Sequence, residues 1–210
     1  MRTPWVVGIS GASGTPYARA VLRGVLAAGA PVDLVVSRAA RLTMLDETGI
    51  AWRDDPGHVA AWLGLGAEID VRLWPAGDLA AGPSSGSYPA RGMIVVPAST
   101  EAVAGIALGL SKDLLQRSAA VTLKEGRPLV VVPREMPLAR PTLVHLLALH
   151  DAGAIVAPAS PGFYAGAKDA EALADFVAAK ILDAIGVEHQ LMQRWTGQLG
   201  AARNQSSQAD

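Results

Sequence analysis

Short apolar runs bounded by turn residues alternate along this chain with longer stretches whose apolar positions recur at helical spacing. The runs predict strands at about 5–10, 32–37, 69–74, 93–97, 129–133 and 154–158. The intervening stretches predict helices over 15–28, 38–47, 99–109, 113–125, 139–152 and 169–186, many of them rich in Ala and Leu. Gly29, Gly109, Gly126, Gly153 and Gly186 stand where several of these helices should stop. Near-continuous apolar strands alternating with helices imply a sheet buried on both faces. The expected architecture is therefore α/β: a three-layer, doubly wound, mainly parallel sheet of Rossmann or flavodoxin-like kind.

Residues 76–92 interrupt this rhythm with a long turn-rich segment, a feature that in a compact domain is often functional. After Gly197 apolar side chains almost vanish, so one domain over 1–197 and a polar tail over 198–210 are expected. Only 18% of the 210 residues are charged, against roughly 25% in an average soluble protein, which points to surface buried between subunits. A net charge of −1 lacks the cationic field that a nucleic-acid backbone demands. Cysteine is absent, excluding disulfides, thiolate nucleophiles and thiolate metal sites and favouring a cytoplasmic setting. The opening Met-Arg-Thr-Pro-Trp runs into an apolar segment broken by Gly8 and Gly11, which fits neither a signal peptide nor a membrane span.

In open α/β sheets ligands bind beyond the carboxyl ends of the strands, where strand order reverses. The first strand leads into Gly8-Ile9-Ser10-Gly11-Ala12-Ser13-Gly14. This turn either only reverses the chain or offers backbone N–H groups and the Ser13 hydroxyl to a phosphate or ring oxygen. Ser37 and Arg38 follow the second strand, where a dinucleotide enzyme needs an acidic residue for the ribose, so NAD is disfavoured. Beyond the fourth lie Pro97-Ala98-Ser99-Thr100-Glu101, whose hydroxyls cap a helix or hold a ligand. A strand order 3-2-1-4-5-6 would put this loop and the glycine-rich turn on one crevice.

Pro133-Arg134-Glu135 ends the fifth strand. A surface ion pair is the plain reading; the strand-end position favours phosphate binding by Arg134 and proton movement by Glu135. Arg117 and Lys124 fall on nearly one face of their helix, where solvated charges are the simplest account. Past the sixth strand, Tyr164 in Pro161-Gly-Phe-Tyr164 either packs or donates to a phosphate. His58, His145, His150 and His189 show no metal-ligand spacing, and a Ser-His-Asp hydrolase has no support. Of the five tryptophans, Trp195 stands apart just ahead of the polar tail, placed to cap a pocket.

In order and spacing, residues 5–197 resemble the UbiX-type flavin prenyltransferases, within the flavin-binding decarboxylase-like α/β proteins. The matching pieces are Gly8-Ile-Ser-Gly-Ala-Ser-Gly14, Val36-Ser-Arg-Ala-Ala40 with Glu47-Thr48, Ser85-Gly-Ser-Tyr88, Leu114-Leu-Gln-Arg117 with Leu123-Lys-Glu125, Arg127-Pro-Leu…Pro133-Arg-Glu-Met-Pro-Leu138 and Pro161-Gly-Phe-Tyr164. The resemblance implies transfer of a dimethylallyl group from its monophosphate to reduced FMN without a metal, closing a fourth ring through flavin N5 and C6. The prenylated FMN would then serve a UbiD-type decarboxylase.

Residue by residue, the resemblance implies that Gly11, Ala12, Ser13, Ser37, Ser99, Thr100, Arg117 and Arg134 contact FMN, with Glu101 and Ala102 acting mainly through backbone. Ser87, Lys124, Arg134, Tyr164 and Lys180 would surround the prenyl phosphate. Ser13, Glu47, Glu135 and Trp195 would take the catalytic roles, with some groups supplied by neighbouring subunits of a homododecamer. Ionising an allylic phosphate leaves an anion beside a carbocation, so cations must hold the first and π faces shelter the second. Lys180 stands where the family usually has Arg, Glu101 where small or basic residues are usual, and Ala165-Gly-Ala-Lys168 in place of His-Arg-Pro. Phosphate affinity and donor choice are the properties these changes touch.

A non-catalytic FMN carrier is the alternative of another class. A flavin-dependent decarboxylase of cysteine-containing substrates is disfavoured. Its catalytic His and Pro-x-x-Asn-type loop are replaced here by Ala39-Ala40-Arg41 and Pro133-Arg-Glu-Met136.

Overall fold

The computed structural model describes residues 2–163, 168–192 and 194–195. Among them, β1 (Trp5–Ile9), β2 (Val32–Val36), β3 (Val71–Pro75), β4 (Gly92–Ala98), β5 (Leu129–Pro133) and β6 (Ile155–Val156) form one sheet ordered β3-β2-β1-β4-β5-β6. Every recorded strand pairing is parallel. The order reverses between β1 and β4, as the doubly wound reading requires.

Side chains alternate across this sheet. Trp5, Val7 and Ile9 of β1 enter a core shared with α1 (Thr15–Ala27), α2 (Arg38–Thr48), α3 (Pro56–Leu63) and α7 (Ala170–Ala184). Val6 enters a second core with α4 (Thr100–Ala107), α5 (Leu114–Lys124) and α6 (Arg140–Asp151). Gly8 lets α5 lie against the β1 backbone, since an added Cβ would meet Leu115 Cγ at 2.9 Å. Leu34, fully buried in β2, represents the cost of disturbing these layers: truncation to Ala removes about 2–5 kcal/mol.

Three features depart from the sequence expectation. α3 was not anticipated, because it is only eight residues long with Gly57 in its first turn. Its ends are nonetheless well marked: Asp55 accepts from His58 N–H at 2.8 Å, and Gly64 closes it at φ 69°. β3 is displaced to 71–75, and β6 shrinks to two residues just before Pro158, which has no N–H for a ladder. The boundary expected at 197/198 lies outside the described residues. No helix among the described residues is long and apolar enough to cross a membrane.

Candidate active site

The carboxyl ends of β1 and β4 are tied together by one buried hydroxyl. Ser10 Oγ donates to the Pro97 carbonyl at 2.8 Å and accepts from Ser99 N–H at 2.7 Å, while its own N–H reaches Pro97 O at 3.2 Å. Ser10 thereby fixes the two loops that flank the reversal point. The residue list drawn from sequence omitted Ser10; its only signal was its place inside the glycine-rich turn.

Three helices start around this junction. Ser37 Oγ caps α2 by accepting from Ala40 N–H at 3.1 Å, and Ser99 Oγ caps α4 by accepting from Ala102 N–H at 3.2 Å. For Ser99 the capping alternative is realised in the chain; the Ser37 cap was not anticipated. Gly11 passes so close to α2 that an added Cβ would lie 2.4 Å from Ala39 Cβ. Thr100 and the Glu101 side chain are exposed, and Glu101 is drawn 3.5 Å from Lys112.

The start of α1 is different. Its Gly14 and Thr15 N–H groups donate to the Glu47 carboxylate at 2.9 and 2.8 Å. Within the glycine-rich turn 8–14 the Gly14 N–H is thus already satisfied by Glu47, as is the Thr15 N–H just beyond it. Burial raises the Glu47 carboxyl, but hydrogen bonds from the Ser13 and Thr15 side chains and from both backbone N–H groups outweigh it and hold the group below its ordinary value. Ser13 and Glu47 thus meet at the mouth of α1.

Arg134 arrives from β5, where its Nε donates to the Ser13 carbonyl at 3.0 Å. Arg134 and Glu135 form no ion pair among the described residues, which corrects the surface-pair reading; Glu135 is exposed and accepts from Met136 N–H at 3.1 Å. The strand ends thus bring Gly11, Ser13, Ser37, Glu47, Ser99 and Arg134 to one end of the sheet, with Ala12, Thr100 and Ala102 on the same turns and helix starts and Glu135 exposed next to Arg134.

The remaining residues lie elsewhere in the chain. Arg117 Nε donates to the Ser84 carbonyl at 3.0 Å, so this guanidinium is not simply solvated. Lys124 occupies the other end of α5, which begins at the Ala76 carbonyl after β3 and ends shortly before β5 starts. Eleven residues at about 1.5 Å each separate those ends by ~16 Å, more than a lysine side chain spans. Lys124 Nζ instead pairs with Glu125 at 2.5 Å against Gly86, whose chain neighbours Ser85 and Ser87 hold their hydroxyls 2.9 Å apart. Lys180 is exposed on α7, 3.8 Å from Asp183. Trp195 stands 60% exposed next to Arg194, which clasps Asp183 at 2.6 and 2.8 Å. Tyr164 lies outside the described residues.

A doubly wound sheet with such a strand-end crevice defines a nucleotide- or flavin-binding α/β protein. Residues 1–182 match the family model described as Flavoprotein. The chain is 63% identical over 212 aligned positions to the flavin prenyltransferase UbiX of Streptomyces coelicolor, covering 95% of this chain and 98% of that protein. A crystal structure of AnUbiX (PadA1) in complex with FMN and dimethylallyl pyrophosphate superposes with a TM-score of 0.83 at 35% identity, covering 94% of this chain and 100% of the other. A dodecameric FMN-dependent UbiX-like decarboxylase from Escherichia coli O157:H7 gives 0.82 at 37% identity, covering 93% and 100%. The chain belongs to the flavoprotein family and, within it, to the UbiX flavin prenyltransferases.

Proposed function

We propose that this protein transfers a dimethylallyl group from dimethylallyl phosphate to reduced FMN in the crevice between the β1 and β4 ends. The observation that carries the reading is the meeting of Ser13, Arg134 and two capped helix starts at the Ser10 bridge. The residues suit a phosphorylated flavin. The N-termini of α2 and α4 and the Arg134 guanidinium bring positive potential to one place, whereas the start of α1 is already neutralised by Glu47. FMN, when bound, supplies N5 and C6 as the positions that accept the prenyl carbons.

The protein's own groups divide the remaining work. Arg134 spends Nε on the Ser13 carbonyl, which fixes its plane and leaves its terminal nitrogens as donors to phosphate oxygens. Glu47, anchored by two amides, orients the Ser13 hydroxyl. Glu135, exposed at the strand end, accepts and returns the proton exchanged during ring closure. Lys124, Ser87, Tyr164, Lys180 and Trp195 complete the site from neighbouring copies, Lys180 offering a point charge rather than a two-pronged grip. Arg117 supports the pocket wall through Ser84. The dodecameric relative supports an assembly of that size; a UbiD-type decarboxylase is the recipient that the resemblance to UbiX proteins implies. Residues 1–197 form the working domain, and a cysteine-free chain suits a cytoplasmic setting.

The test is anaerobic. The protein is supplied with reduced FMN and dimethylallyl phosphate, and the flavin is weighed. A C5 addition supports prenyl transfer; an unchanged flavin favours a carrier.

A further inference from the structure

We infer that Asp33 and Tyr88 are positioning residues for the prenyl phosphate, holding the loop that presents Ser85 and Ser87 beside Lys124. The inference rests on the proposal above that Lys124 reaches the prenyl phosphate of a neighbouring copy.

Asp33 is an anomaly in its strand. It interrupts the apolar run Val32-Asp33-Leu34-Val35-Val36 and is fully buried. A buried carboxylate loses several kcal/mol of hydration, by order of magnitude, unless it is paired and hydrogen-bonded. Both oxygens are engaged: Oδ1 by the Arg2 guanidinium, and Oδ2 by the Tyr88 hydroxyl, which donates at 2.7 Å. Burial first, and the Asp33 charge after it, push the Tyr88 phenol above its ordinary value, so the hydroxyl remains a donor.

That phenol anchors a loop gripped from several sides. The Tyr88 ring covers Gly82, where an added Cβ would lie 2.5 Å away, and meets Trp74 edge-on at 6.4 Å. Arg127 donates to the carbonyls of Tyr88 and Gly86 at 3.0 and 2.8 Å. Gly86 in turn runs directly beneath the Lys124–Glu125 pair: an added Cβ would sit 2.0 Å from Glu125 Oε1 and 2.8 Å from Lys124 Nζ. The chain of contact is continuous from buried Asp33 through the Tyr88 hydroxyl and backbone to Gly86 and the ammonium. The Lys124 ammonium packed against Gly86, and the paired hydroxyls of Ser85 and Ser87 that flank Gly86 in the chain, suit the oxygens of a phosphate.

The experiment measures prenylated-flavin formation by the full-length protein against dimethylallyl phosphate concentration, with reduced FMN saturating. Tyr88→Phe keeps the ring contacts and removes only the hydroxyl. The expected result is a KM for the prenyl phosphate raised about three- to tenfold, with kcat within about twofold and FMN affinity unchanged. Asp33→Asn, which keeps an acceptor for Tyr88 but removes the charge facing Arg2, should raise the same KM less, and it reads the same quantity should Tyr88→Phe fail to fold. A variant with lowered thermal stability and wild-type KM would make the network purely structural and overturn the inference. Lys124→Ala separates the two layers of the argument. A raised KM there with unchanged KM in Tyr88→Phe overturns only the positioning role, and unchanged KM in both overturns the placement of Lys124 as well.

Discussion

Replacing Glu47 with Gln isolates the electrostatic part of the α1 cap. The carboxylate accepts from Gly14 and Thr15 N–H groups at 2.9 and 2.8 Å at the positive end of a 13-residue helix. A cap of this kind contributes about 1 kcal/mol, and the negative charge at the helix start adds ~0.3–1 kcal/mol. Gln retains one oxygen acceptor, and the exposure of Glu47 favours the lower values, so a loss of about 1 kcal/mol is expected near neutral pH. For a chain of this size that is a Tm lower by roughly 2–4 °C. The sign with pH follows from proton binding. The folded carboxyl titrates below its ordinary 4.5, so the unfolded chain binds its proton first as pH falls. The stabilisation is complete above the unfolded value and disappears as pH drops through the folded one. Thermal melts of both proteins at equal concentration, near pH 7 and again near pH 4, provide the assay. A deficit of equal size at both pH values, or none near neutrality, would refute the assignment of a charged cap.

Other substitutions probe separate parts of the crevice. Ser10→Ala leaves Ser99 N–H and one bond to Pro97 O without their partner, so a loss of about 1–3 kcal/mol in urea unfolding is expected, together with weaker FMN binding by flavin fluorescence. Glu135→Gln should slow product formation while leaving FMN affinity intact; flavin loss from the purified variant would instead assign Glu135 a structural task. Lys180→Arg should lower the prenyl-phosphate concentration needed for half-maximal rate, and an unchanged requirement would remove residue 180 from the phosphate site.

The sheet was legible because its strands are short, mostly apolar runs set off by turn residues, with Asp33 in β2 and Arg72 in β3 as charged interruptions. The glycines at 29, 109, 126, 153 and 186 mark helix ends, and all adopt positive φ between 64° and 93°. α3 was not legible, since eight residues give little more than two turns in which a period can register. In the crevice, Ser37, Ser99 and Arg134 could be read because each directly follows a strand, and Ser13 because it lies in the glycine-rich turn after β1. Glu47 was reached only through resemblance: it sits ten residues into α2, and its tie to α1 is tertiary. Asp33 was not singled out although it is a lone charge in β2, because its partners Arg2 and Tyr88 are 31 and 55 residues away and no local pattern joins them.

The Arg2–Asp33 contact also bears on how the protein is prepared. Arg2 reaches Asp33, Asp70 and the Val32 carbonyl, so the segment leading into β1 is wedged against the start of β2. A purification tag or trimmed start that dislodges Arg2 would strand a carboxylate where water does not reach, at a cost of about 3–5 kcal/mol. Recombinant material should therefore leave that arginine free to seat, and yield or melting point compared between differently tagged versions will register whether it has.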